Sequence, residues 1–287
     1  MTDIPMPTPT NPPLPLPSYK LLSFDIYGTL IEYKQRILQS FKPLRANLPS
    51  DSPYRESTPL NPSLDHCATK GDIEFLKLFQ KQEDAIKLEL ADEPRRFDEV
   101  LREIWRRVSR EIDVQTSDEE IDAFGSVSNI QSWPTFSGTI HALRALQDRG
   151  YRLVALSNVD KFATDISFSS TGLNSIDWAK IFTAEDFGTS KEDLQAADQR
   201  KFEALLRYAE EQDVKKEEIL HVAQSLGHDH KPAKAMGVSS VFLIGDGPVW
   251  GKEGESRMAV ERGLVGYGWR CGDLREFVGV VEGGGES

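Results

Sequence analysis

Along this chain, short apolar runs alternate with stretches whose apolar residues recur every three or four positions. YKLLSFD (19–25), YRLVALSN (151–158), KIFTAED (180–186), EILHVAQS (218–225) and VSSVFLIGDG (238–247) are apolar runs of strand length. Runs of this form between turn residues predict buried strands. Between them, TIHALRALQDRG (139–150) closes on Gly150, and QRKFEALLRYAEEQ (199–212) sets Phe202, Leu205, Leu206 and Ala209 on one face, the mark of amphipathic helices. Strands alternating with helices predict an α/β fold built on a doubly wound parallel sheet. Ligands of such sheets sit beyond the carboxyl ends of the strands, where Asp25, Ser157, Asn158 and Ser225 fall.

Residues 35 to about 130 break the alternation. DIEFLKLFQKQEDAIKLEL (72–90) and RRFDEVLREIWRRVSREI (95–112) read as long helices, the second with Phe97, Val100, Leu101, Ile104, Trp105 and Val108 in one stripe. Such a stripe packs helix on helix. Ser117 and Glu120 have the spacing of a capping box that opens a further helix. The Pro-, Ser- and Asn-rich stretch 42–70 reads as an irregular loop within this insert. The sequence thus divides into a core at 19–34 and 131–287 and a helical cap domain at 35–130. The first 18 residues hold seven prolines and no basic residue, and read as a Pro-rich disordered arm rather than a secretory signal.

Charge and composition narrow the function. The formal net charge of −12 over 287 residues is opposite to what nucleic acid or an anionic membrane requires. No apolar run approaches the roughly 20 residues of a membrane helix. Cys67 and Cys271 are the only cysteines, so neither a disulfide framework nor a structural zinc site is implied. A cytoplasmic protein acting on a small molecule is the expectation, and a homodimer is compatible with it.

An aspartate that ends a central strand above a Gly-Thr turn is placed to be a nucleophile, with backbone N–H groups and the Thr29 hydroxyl beside it. FDIYGTL (24–30) resembles the first motif of the haloacid dehalogenase superfamily. LVALSN (153–158), FGTSK (187–191) and HVAQSLGHD (221–229) resemble its second, third and fourth motifs, in order. The resemblance implies a Rossmann-like core with an inserted cap, and covalent catalysis. In it, Asp25 attacks the substrate, Ser157 binds the substrate's anionic group, Lys191 holds Asp25 ionised, and Asp229 places the hydrolytic water. Tyr27, Thr29, Asn158, Gln80 and Ser225 would line the substrate site.

Phosphatases of this superfamily carry a second aspartate two residues after the nucleophile, and bind Mg²⁺ through acidic residues of the fourth motif. Here those positions hold Tyr27 and Gln224. Tyrosine at the first of them resembles the metal-independent 2-haloacid dehalogenases, whose halide leaves without protonation, and no cofactor is then implied. Those dehalogenases draw a cap arginine to the halide. By spacing its place is Gln80, with Arg55, Arg95, Arg96, Arg102 and Arg106 as other cationic groups of the insert, and the family's tyrosine after the lysine corresponds to Phe202. The alternatives are a phosphatase of a small metabolite, with Mg²⁺ on Asp25 and Asp229, and a non-catalytic binding protein of the same fold. IGDG (244–247) falls one strand after the fourth motif and reads as a loop beyond the site. His228 and His230 flank Asp229 and, in an extended segment, would point to opposite sides, one into the pocket and one to solvent.

Overall fold

The computed structural model describes residues 6–59, 69–89, 95–187, 194–245 and 258–283. Its centre is set by the run LLSF, strand β1 (Leu21–Phe24), buried at every position. A strand with both faces covered needs hydrogen-bonded neighbours on both sides. β1 finds them in β2 (Arg152–Leu156) and β4 (Ile219–Ala223). With β3 (Trp178–Phe182), β5 (Ser239–Leu243) and β6 (Trp269–Cys271) these make one all-parallel sheet in the order β3-β2-β1-β4-β5-β6. The chain winds outward through β2 and β3 on one side of β1, then through β4, β5 and β6 on the other. The order reverses between β1 and β4, and a crevice opens at such a switch point.

The sheet agrees with the sequence reading in class and in most strands. β3 ends at Phe182, and Ala184–Phe187 form a short helix rather than the strand's end. β6 is too short to stand out in the sequence as a run of its own. The helices on the sheet include Thr139–Asp148, Lys161–Thr171, Leu194–Glu211 and Leu274–Glu282.

Between β1 and β2 the described chain is helical, with Lys34–Ser40, Lys42–Ala46, Lys70–Glu89, Phe97–Glu111, Asp118–Phe124 and Val127–Gln131. The loop expected over 42–70 begins instead with the helix Lys42–Ala46, whose Pro43 stands in the first turn, where a missing N–H costs nothing. Every residue of the 97–108 stripe is buried. Its Trp105 stacks on Phe41 at 4.2 Å, and Phe75 and Phe124 close the same ring cluster at 5.0 and 4.8 Å from Phe41. The capping box forms as spaced, with Ser117 Oγ accepting from Glu120 N and Glu120 Oε2 from Ser117 N. One carboxylate ties insert to core. Asp160 caps the helix Lys161–Thr171 by accepting from Ala163 N, and its other oxygen accepts from Phe97 N at the start of the insert helix.

The proline-rich arm departs from its disordered reading. From residue 6 onward it lies along the core. Thr10 Oγ1 donates to the Lys234 carbonyl at 2.8 Å, Lys234 Nζ donates to the Thr8 carbonyl at 3.0 Å, and Tyr151 donates its hydroxyl to the Leu16 carbonyl. Leu16 and Tyr19 are buried in the main core. Proline lowers the entropy cost of ordering an extended segment, and two glycines make room for it. A Cβ on Gly266 would stand 2.6 Å from the Thr8 carbonyl oxygen, and one on Gly268 2.7 Å from Pro13 Cγ. Gly266→Val should therefore lift the arm from its bed. Limited proteinase K digestion is expected to remove the arm from this variant well before it does so from the wild type, while the rest of the chain resists.

Candidate active site

Asp25 follows β1 directly, and its N–H donates to the Val222 carbonyl of β4. The next residues turn sharply: Gly28 sits at φ 93° and donates to the Ile31 carbonyl, a conformation few side chains tolerate. The turn brings Thr29 back under the carboxylate, where Oγ1 donates to Asp25 Oδ2 at 2.7 Å and accepts from Gln224 N at 3.1 Å.

Asp229 arrives from β4 on a single helical turn, Leu226–His230. Ser225 builds that turn: its hydroxyl accepts from His228 N and its carbonyl from Asp229 N and His230 N. Ser225 is thus a cap beneath the site. Asp229 Oδ1 accepts from Lys201 Nζ at 2.7 Å and faces His221 Nε2 at 3.2 Å, all three groups being buried. His221 in turn meets Ser23 Oγ at 2.9 Å through Nδ1, the two residues being register partners on β4 and β1. Burial keeps His221 below its ordinary pKa, so the neutral ring donates from Nε2 to Asp229 and accepts at Nδ1.

Lys191 lies outside the described residues. Among the described residues an ammonium reaches the site from Lys201, ten positions later on the helix Leu194–Glu211. The sequence does carry a signal for it: Lys201 is four residues before Leu205 and next to Phe202, on the face that the apolar pattern buries. Phe202 packs its ring against His221 at 4.9 Å. His221 and Ser23 also escape the sequence reading, although each is a polar residue within a buried strand.

The carboxylates are driven apart. Burial, reinforced by the Asp229 charge, pushes Asp25 up to about 7 against the pull of Lys201 and Thr29. Burial also disfavours charge on Asp229, but Lys201 and His221 outweigh it and hold that carboxyl well below the usual range. Lys201 stays charged despite burial because Asp229, Asp198 and Asp25 surround it.

Ser157, at the end of β2, is fully buried, with its hydroxyl accepting from Val159 N, and Asn158 beside it is half-buried. Tyr27 turns away from a proton-transfer role: its hydroxyl bonds Ser167 Oγ at 2.8 Å and the Ala163 carbonyl at 3.3 Å, and its ring sits among Tyr33, Phe97 and Trp133. Gln80 donates within its own helix to Glu83 and Asp84. Arg55 donates to the Leu48 carbonyl, Arg96 and Arg102 pair with Asp98, and Arg106 with Glu103. A second cation does stand at the site. Lys34 Nζ donates to Gln224 Oε1 at 2.5 Å, and burial draws this ammonium down to about 7 while Asp25 opposes the shift.

The two histidines beside Asp229 are on a helical turn, not an extended segment, because Ser225 caps it. His228 pairs with Asp198 at 2.8 Å, whereas His230 is buried between Ser240 Oγ and the Ala223 carbonyl. The loop after β5 is not remote from the site either, since the Ile244 carbonyl accepts from Gln224 Nε2 at 3.2 Å; residues 246 and 247 lie outside the described set. Among the described residues no three His, Cys, Asp or Glu side chains gather as metal ligands, and no helix is long and apolar enough to cross a membrane.

Residues 19–237 match a family model described as haloacid dehalogenase-like hydrolase. Solved structures of similar fold include a dehalogenase at 15% identity and TM-score 0.64, covering 92% of this chain and 97% of that one. The L-2-haloacid dehalogenase from Xanthobacter autotrophicus with chloropropionic acid covalently bound gives 14% identity, TM-score 0.61, and coverage of 92% and 99%. YfnB from Bacillus subtilis, in a form bound to magnesium, gives 14%, 0.60, and the same coverage of 92% and 99%. At such identities the likeness establishes the fold alone. A comparison with curated proteins returned no match.

Two outcomes follow from the charges. Asp229→Asn leaves Lys201 buried without its hydrogen-bonded counter-charge, and a loss of about 3–5 kcal/mol is expected in urea unfolding; adding Lys201→Met should restore most of it. Folding lifts the Asp25 pKa above its unfolded value of 3.8, to about 7. Protonated Asp25 carries no penalty below the lower value, and the cost of ionising it grows between the two and is complete above the higher. Asp25→Asn should therefore raise the melting temperature at pH 8 and leave it unchanged at pH 4.

Proposed function

The chain belongs to the haloacid dehalogenase-like hydrolases, and from that premise we propose that it cleaves a small 2-haloacid through an ester on Asp25. The observation that carries this reading is the commitment of Tyr27. Its hydroxyl is bound to Ser167 and Ala163, so the position two residues after the nucleophile supplies no proton to a leaving group. Halide departs as a stable anion and needs none, whereas an alcohol leaving from a phosphate ester does. The covalently bound chloropropionic acid of the Xanthobacter autotrophicus structure supports the same chemistry on this fold.

In the first step an Asp25 oxygen attacks the carbon bearing the halogen, the new C–O bond forms, and halide leaves with the electron pair of the C–X bond. Thr29, donating to Asp25 Oδ2, leaves the other oxygen to attack. In the second step water adds to the Asp25 carboxyl carbon, and collapse of the tetrahedral intermediate returns the carboxylate and releases a 2-hydroxy acid, one proton of the water going to the departing alkoxide oxygen and the other to solvent. Asp229 orients that water, and Lys201 offsets the negative charge that builds on the ester oxygen. Ser157 and Asn158 hold the substrate's carboxylate. The insert, residues 35–130, acts as the cap that encloses it. Gln80, engaged with Glu83 and Asp84, is not the halide's partner.

Ester hydrolysis at the carboxyl carbon fixes the fate of the water oxygen. A turnover in H₂¹⁸O is expected to place ¹⁸O in the Asp25-bearing peptide by mass spectrometry, with chloride released from 2-chloropropionate. Asp25→Asn should lower that release by at least about 10³-fold. Label appearing only in product, with none in the peptide, would replace the covalent reading with direct attack by water. Phosphate release from p-nitrophenyl phosphate without chloride release would favour the phosphatase instead.

A further inference from the structure

The donor set around Asp25 fits a divalent cation poorly, and one side chain accounts for it. A phosphatase-like site would need a carboxylate where this chain has Gln224, and the one side-chain oxygen that Gln224 offers already accepts from Lys34 Nζ at 2.5 Å. Asp229 Oδ1 is saturated by Lys201 and His221. Mg²⁺ demands several hard oxygen ligands at about 2.1 Å, and a dication close to an ammonium meets strong like-charge repulsion where water is scarce.

We propose that the Lys34 ammonium is a built-in cation of this site, standing on the Gln224 side of Asp25 in the role that Mg²⁺ fills in phosphatases of the fold, and thereby excluding the metal. The proposal rests on the covalent reading above for its chemistry, and on geometry for its place. Lys34 is linked to the nucleophile by an unbroken chain: its ammonium to Gln224 Oε1, Gln224 N–H to Thr29 Oγ1 at 3.1 Å, and Thr29 to Asp25 Oδ2 at 2.7 Å. A Cβ on Gly28 would stand 3.2 Å from Gln224 Oε1 and 3.6 Å from Lys34 Cε, so both side chains line the turn that presents Asp25. The charge of Asp25 in turn favours the charged form of Lys34.

Two ammonium groups then flank one nucleophile from different elements, Lys201 through Asp229 and Lys34 through Gln224. Lys201 belongs to the water-attack side. Lys34 is a positioning residue: it donates to Gln224, its charge and that of Asp25 favour each other, and it draws an anionic substrate or departing halide toward the turn. A site so equipped takes a small monoanion and needs no added metal.

Calorimetric titration with MgCl₂ tests this on four full-length proteins, each checked for folding by its melting curve: wild type, Gln224→Asp, Lys34→Ala, and the double variant. Wild type and Gln224→Asp, which both keep the ammonium, are expected to bind Mg²⁺ at least about tenfold more weakly than the double variant, since like charge opposes the metal. Lys34→Ala alone should fall between. Binding by the wild type as tight as by the double variant would overturn the proposal, as would an equal gain from Gln224→Asp alone. A folded double variant with no gain at all would overturn it too. In parallel, Lys34→Met should lower kcat/KM for 2-chloropropionate by at least about tenfold, with Lys34→Arg recovering most of it, because charge rather than shape is at issue. Absence of turnover in the wild type would count against the dehalogenase reading, while the Mg²⁺ titration would still decide whether Lys34 excludes the metal.

Discussion

The fold and the site share one dependency, the buried ion pair of Lys201 and Asp229. Two charges out of water are costly unless every lone pair and proton is used. Here the pair is enclosed by His221, and His221 by Ser23. That chain of contacts runs from the helix Leu194–Glu211 through the turn after β4 and across β4 to β1. Each link fixes a register: Ser23 must face His221 across the two strands, and Lys201 must fall on the helix face that meets the sheet. Asp25 is placed by the same constraint, one residue beyond Phe24 and one strand from Asp229. The cost of burying the pair is offset by its hydrogen bonds, and the result is a fixed charge beside a carboxyl, Asp25, that burial and the Asp229 charge push up to about 7.

A second constraint joins the insert to that core. Asp160 has two oxygens and two helix N-termini to satisfy, and each oxygen takes one of them. Unpaired N–H groups at a helix start attract negative charge, so a single carboxylate at the end of β2 can moor the Phe97–Glu111 helix and cap Lys161–Thr171 together. Around this mooring the rings of Tyr27, Tyr33, Phe97 and Trp133 pack edge to face or tilted. Tyr27 is therefore a joint of the insert and the core as much as a wall of the site.

How much of this is legible in the sequence follows from the range over which each feature is determined. The strands β1, β2, β4 and β5 and the stripe of Phe97–Val108 are local patterns, and they appear where their periods put them. The Ser117 capping box is local as well. Asp25 and Ser157 are legible because a polar residue that ends an apolar run marks a strand's carboxyl edge. The lysine is different. Lys191, to which the spacing of motifs points, lies outside the described residues, and Lys201, which meets Asp229, is hidden because a charged residue on an apolar face passes for an exception to the pattern. Lys34 is hidden for a similar reason, since its partner Gln224 is 190 residues away. The arm escapes a reading by composition because proline content reports the chain's own stiffness and says nothing of Gly266 and Gly268, which clear a bed for it.

The sheet order also has a consequence in time. β1 is the first of the described strands, and it pairs with β2 and β4, which begin at residues 152 and 219. A nascent chain thus carries LLSF and the Asp25 turn through synthesis of the whole insert before either neighbour exists. The helices of the insert have partners close in sequence and can form at once, whereas contacts of long sequence separation are slow to close. An unpaired apolar strand waiting that long is the part of a chain most open to mispairing. Asp25 is therefore made before either neighbouring strand exists and is among the last residues enclosed, and its surroundings are assembled only when the Asp229 turn, more than two hundred residues later, folds against it.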